Sequence, residues 1–248
     1  MKITLFFIGV LLWLSLPQHL KAQENNLPTK RYKGTDFFEF AVSARHGEQL
    51  KGVLKYYPEA DNWVSTWALS WNHLHHFGRQ GKINLGYGVR FNSAFYQNQA
   101  HLTAPHKLRK IDMDTLMLGR SQSNSLNVTI NLQYNFTKKF EVGFNIDALG
   151  FSFGKKQTGQ FTATGKTTVE TAKPTPLNYL IAGNHDRGML NSEFYGKYWL
   201  TQKWALRAGA TLIFTEYTTS QKLALANDRF RNKSFQFMLG VTYAPFRH

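Results

Sequence analysis

From Ser125 to Asp147 nearly every second residue is apolar. Leu126, Val128, Ile130, Leu132, Tyr134 and Phe136 alternate with Ser125, Asn127, Thr129, Asn131, Gln133 and Asn135. After Thr137-Lys138-Lys139 the alternation resumes, with Phe140, Val142, Phe144 and Ile146 against Glu141, Gly143, Asn145 and Asp147. A period of two places successive side chains on opposite faces of an extended strand. Two such runs across a short polar link predict an antiparallel hairpin.

The same alternation predicts further strands over about 36–44, 63–73, 82–91, 190–200, 203–214 and 234–243, eight in all. Their connections follow a rhythm. Those after the second, fourth and sixth strands are short (75–81, 137–139, 201–202), whereas those after the first, third, fifth and seventh are long, the largest being 92–124 and 150–189. Long connections at one end only, and strands of about ten residues, are what an antiparallel barrel across an apolar layer requires. The prediction is therefore all-β: a transmembrane, up-and-down, eight-stranded antiparallel barrel, closed because lipid tolerates no unpaired backbone edge. Its apolar faces meet lipid, and its Asn, Gln, Ser, Thr, Gly and charged faces line the lumen. The alternative is a soluble, lipocalin-like barrel with the faces inverted and an apolar cavity. Asn, Gly and Thr supply little charge for such an exterior.

The first 22 residues place Lys2 before an apolar run, Ile3 to Leu16, and end on the small residue Ala22, the layout of a cleaved export signal. The expected organisation is a signal over 1–22, a periplasmic segment over 23–34 and the barrel over 35–248. Beyond the signal no apolar run reaches the length of a membrane-spanning helix, and the mean hydropathy is −0.38. Aromatic residues make up 15% of the chain, enough for the girdles of a membrane barrel. The formal net charge is +15, with Lys2 and Lys21 inside the signal. In an exported protein such charge points to membrane phosphates and carboxylates rather than to nucleic acid. The chain has no Cys, so neither a disulfide nor a lipid-anchoring cysteine is available.

With its alternating strands, one-sided long loops, export signal and aromatic-rich last strand "FQFMLGVTY", the chain resembles the small eight-stranded bacterial outer-membrane barrels of the OmpA and OmpX type over roughly residues 35–245. The resemblance implies residence in the cell outer membrane and a terminal aromatic read by the barrel assembly machinery. Here Ala244 to His248 follow Tyr243, so that signal falls to Phe246 or to an internal position.

Eight strands leave a lumen that side chains fill. Glu39, Glu141, Lys197 and Arg207 are expected near its periplasmic end, and Arg90, Asp147 and Glu193 higher, pairing across it as a plug because an unpaired buried charge is costly. A gated ion path through the same groups is the alternative. In the outer loop "HLTAPHKLRK", Lys107, Arg109 and Lys110 are candidates for lipid phosphates. His73, His75 and His76 crowd one turn without a Cys or adjacent carboxylate, so no metal site is expected. His185, Asp186 and Ser192 are the grouping from which a lipid-modifying acyltransferase or deacylase would be built, although neighbouring His and Asp orient each other poorly. "LNYLI" (177–181) is expected as a lid or lipid contact, and 159–170 as a hairpin extending strands five and six. The expectation is a non-enzymatic barrel without cofactor, whose outer loops meet lipopolysaccharide, a surface ligand or a protein partner.

Overall fold

The structure, a computed structural model, describes residues 35–46, 63–77, 81–104, 114–163, 166–181 and 185–246. Eleven strands occur among them. They are β1 (Thr35–His46), β2 (Trp63–Phe77), β3 (Ile83–Thr103), β4 (Thr115–Asn135), β5 (Phe140–Phe153), β6 (Gln157–Ala163), β7 (Lys166–Pro174), β8 (Leu177–Tyr179), β9 (Leu190–Trp199), β10 (Trp204–Thr219) and β11 (Arg229–Tyr243).

Eight of these strands form a closed antiparallel ring, β1-β2-β3-β4-β5-β9-β10-β11, with β11 returning to β1 through the register Phe38 to Tyr243 and Ala44 to Phe237. Closure pairs every backbone edge, the condition for a sheet in lipid. The faces are those of a membrane barrel. Leu69, Val128, Leu132, Phe194, Phe237 and Leu239 are exposed, while Asn72, Asn92, Asn131, Arg90 and Gln236 are buried within the ring. This orientation excludes the inverted, soluble barrel.

Above this ring the structure departs from the predicted loops. β3 and β4 continue far past 91 and start well before 125, each running for 21 residues. The β6–β7 hairpin does not extend β5 and β9. It joins the upper ends of β4 (Thr115 to Thr162) and β10 (Tyr217 to Pro174). On the opposite side β1 and β2 have ended, and β11 pairs directly with β3 (Phe230 to Thr103). The strands β3, β4, β6, β7, β10 and β11 thus close a second, six-stranded ring on top of the first. "LNYLI" is no lid: its first three residues form β8 alongside β5 (Leu149 to Tyr179).

The interior changes character with height. At the turn end Phe37, Leu74, Trp199, Ala205 and Ala244 form an apolar floor. A polar middle follows, then an apolar layer of Val64, Ala94, Tyr96, Met189 and Ile213. The upper ring holds Leu116, Leu118, Phe161, Ala172, Tyr217 and Phe230. Gly143 faces Tyr195 so closely that a Cβ there would lie 2.4 Å from its ring, so this glycine makes the room the tyrosine occupies.

His101 sits in the upper ring, above the exposed apolar belt, with its ring 5.0 Å from that of Tyr217 and 5.9 Å from that of Tyr96. Burial pushes its imidazole down to about 4 from 6.5. The unfolded state therefore binds the proton first, and stability is lost as pH falls from about 6.5 towards 4. Backbone amides of the upper ring are expected to exchange faster with deuterium at pH 4.5 than at pH 7 after correction for intrinsic rates, and His101→Phe to remove that difference. Equal protection in the parent protein at both pH values would contradict a buried neutral imidazole.

Candidate functional site

The charged side chains of the lumen's polar middle come from inward positions of β1, β3, β5, β9 and β10. Arg90 donates from Nε (2.8 Å) and Nη2 (2.6 Å) to Asp147 Oδ1, and from Nη1 to Asn145 Oδ1 (2.6 Å). Its Nη1 also lies 3.0 Å from Glu193 Oε2. The same carboxylate oxygen accepts from Arg207 Nη2 at 2.9 Å. Arg207 Nη1 then reaches Glu39 Oε2 (2.9 Å), and Glu39 Oε1 lies 3.0 Å from Lys197 Nζ. A single chain of contacts, Asp147-Arg90-Glu193-Arg207-Glu39-Lys197, crosses the barrel.

Neutral groups complete it. Asp147 Oδ2 accepts from Asn92 (3.1 Å), Asn127 (2.7 Å) and the Asn191 backbone N–H (2.9 Å). Glu39 accepts from Asn72 (3.1 Å) and Thr242 (3.0 Å). Glu141 accepts from Gln133 Nε2 at 2.7 Å, and Gln133 Oε1 accepts from Lys197 at 3.4 Å. Aromatic faces carry the remaining cation surface, with Arg207 3.9 Å from the Tyr195 ring centre and Lys197 4.2 Å from that of Phe37. Every one of these charged side chains is almost wholly buried, a state tolerable only with such extensive pairing; Arg207 Nε is buried without a hydrogen-bond partner.

The structure brings Glu39, Arg90, Asp147, Glu193, Lys197 and Arg207 into one chain and sets Glu141 beside it through Gln133. The expected division into a low and a high group gives way to continuity, because Glu193 touches both Arg90 and Arg207. Lys107, Arg109 and Lys110 lie outside the described residues, as do the signal and the 23–34 segment.

At the histidine turn the sequence missed a partner from another strand: His73 Nδ1 is 2.9 Å from Asp36 Oδ1. His76 is held by Asn84 (2.5 Å) and Thr35 (2.8 Å). Among the described residues no three His, Asp or Glu side chains are placed to hold a metal. The Asp186 carboxylate accepts from the Ile181 N–H at 2.9 Å, and its carbonyl accepts from Arg231. Ser192 lies opposite the exposed Leu212, on the outward face. Sequence reading also missed the buried Glu216, which takes Arg229 (2.8 Å) and Arg231 (2.8 Å) above the apolar belt, where Arg231 also donates to the Asp186 carbonyl.

An apolar outer wall, a closed eight-stranded ring and a polar, charge-paired lumen define an eight-stranded transmembrane β-barrel. Among solved structures the chain is similar to Neisserial surface protein A, at 10% identity and a TM-score of 0.36, over 84% of this chain and 96% of that one. It is also similar to Ail, the attachment invasion locus protein of Yersinia pestis, at 10% identity and a TM-score of 0.34, over 86% and 98%. A third is the N-terminal β-barrel domain of Pseudomonas aeruginosa OprF, at 10% identity and a TM-score of 0.31, over 86% and 99%. No protein-family model and no curated protein matches the chain.

Proposed function

We propose that the protein is a non-enzymatic barrel of the bacterial outer membrane with a plugged lumen, working through the surface it presents at its loop end to lipopolysaccharide, a surface ligand or a protein partner. The observation that carries this reading is the sealing of the lumen. The charge chain fills its middle, and apolar layers close it below at Trp199 and above at Met189 and Ile213. An ion crossing would have to break paired buried charges and pass two apolar layers, each step costing several kcal/mol. In planar bilayers the purified chain is therefore expected to give no single-channel steps up to 150 mM salt. Regular openings would establish a conducting lumen and sink this reading.

The absence of turnover rests on the division of His185, Asp186 and Ser192 between a loop bonded to its own backbone and an outward face. His185→Ala is expected to leave the lipid A acyl pattern of cells carrying the protein unchanged. A changed pattern would favour a lipid-modifying enzyme. Unboiled protein in detergent is expected to migrate faster than boiled protein on a gel, as a closed sheet resists detergent unfolding.

A further inference from the structure

We propose that an outward patch centred on Arg120 binds the phosphorylated saccharide head of a glycolipid in the outer leaflet. This rests on the membrane-barrel reading and gives it a ligand class and an address. The patch follows from register. Trp63 of β2, Gln97 of β3 and Arg120 of β4 stand directly opposite one another in one row, and Ser65, Phe95 and Gln122 form the row below. Trp63, Phe95, Gln97, Arg120 and Gln122, with Gln157 of β6, border a groove of about 310 Å³ on the barrel's flank. Trp63 and Phe95 are each 40% exposed although they stand beside polar groups.

The next row down carries Trp67, Ser93, Asn124 and Phe153. Ser93 Oγ donates to Asn124 Oδ1 at 2.7 Å, and Gln122 Nε2 bridges Ser93 Oγ (3.0 Å) and Asn124 Oδ1 (3.1 Å). One row further, Leu69, Phe91, Leu126 and Phe151 begin the apolar belt, with Leu69 and Phe151 half exposed. Going up the wall, the surface passes from hydrocarbon to fixed amides and hydroxyls, then to aromatic rings around a cation.

Each layer selects part of a ligand. Planar amides and flat aromatic faces suit a ring that offers hydroxyls at its edge and C–H groups on its face. Arg120 is exposed and makes no hydrogen bond or ion pair among the described residues, and these rows hold no carboxylate. A guanidinium so placed calls for an anion, and its fork matches phosphate. Continuity with the apolar belt requires that the same molecule carry acyl chains, which a soluble glycan lacks. An acylated, phosphorylated sugar meets all three conditions. A glycerophospholipid meets only the anion and the chains.

The test uses the full chain in phospholipid nanodiscs, with insertion scored first by gel mobility. The probes are deep-rough lipopolysaccharide, the same lipid after phosphatase treatment, and phosphatidylglycerol. The parent protein is expected to bind the phosphorylated lipid about tenfold more tightly than the dephosphorylated one. Arg120→Gln should abolish that ratio, and Trp63→Ala with Phe95→Ala should weaken both glycolipids about tenfold. Lys203→Gln, exposed in the turn between β9 and β10 at the other end of the barrel, should change neither. Equal binding by Arg120→Gln and Lys203→Gln, or phosphatidylglycerol binding as tightly as the glycolipid, would overturn the proposal. Failure of the parent chain to enter the bilayer would overturn the barrel reading beneath it, and the mobility assay tells that case apart.

Discussion

Glu193→Leu is expected to destabilise the barrel by about 3–5 kcal/mol, the range for removing one member of a buried ion pair. Its carboxylate lies within 3.0 Å of Arg90 and 2.9 Å of Arg207, so deletion takes an anion from two guanidiniums at once. Neither cation can move to water, since both are almost fully buried between an apolar floor and an apolar layer. Arg90 keeps Asp147 and Arg207 keeps Glu39, which limits the loss. Glu193→Gln preserves an acceptor oxygen and is expected to fall between the parent and Glu193→Leu. Guanidinium unfolding in detergent, followed by tryptophan fluorescence, measures the difference. A change below about 1 kcal/mol for Glu193→Leu would mean that water reaches the network and screens it.

Leu239→Arg is expected to cost about 2–4 kcal/mol, the range for a cation on the lipid face of a barrel near the midplane. Leu239 lies in the middle of β11, between Phe237 and Val241, and is 66% exposed. Val169 on the β6–β7 hairpin is still more exposed, at 73%, but stands on the upper ring, where water is the neighbour. Val169→Arg is therefore expected to change stability by less than about 0.5 kcal/mol. The contrast between two exposed apolar residues isolates lipid as the cause. Folding yield into lipid vesicles and reversible urea unfolding from them provide the readout. Two equally mild variants would place Leu239 in water and refute the lipid-facing wall.

The eight-stranded ring was legible because each of its strands has one polar and one apolar side, and that asymmetry writes a period of two into the residues. The lumen charges were legible for the same reason: Glu39, Arg90 and Arg207 occupy the polar phase of their strands. The upper ring was not, because its interior is apolar and the alternation is interrupted where it begins. Asn98, at φ 49°, lies between the outward pair Gln97–Arg120 and the inward pair Gln99–Leu118, so the face that points inward changes along β3 and β4. Beyond that point Gln99, Ala100, His101, Leu102 and Thr103 are all buried, and no periodicity survives. Partners distant in sequence were equally hidden, as with Asp36 for His73 and Glu216 for Arg231. The flank groove did leave a trace in "RSQSN", where Arg120, Gln122 and Asn124 alternate with serines, but a run without apolar residues reads as loop.

The two stacked rings share their last strand. β11 closes the lower ring against β1 and the upper ring against β3, while β10 flanks it in both. The bonds from β11 to β1 and β3 join residues well over a hundred positions apart, so neither ring can be completed by local pairing. A chain still lacking residues 229–243 has two open cylinders and exposed edges at both heights. Both cylinders therefore hang on one hinge-post: removing residues 229–243 would unseal the lower and the upper ring together.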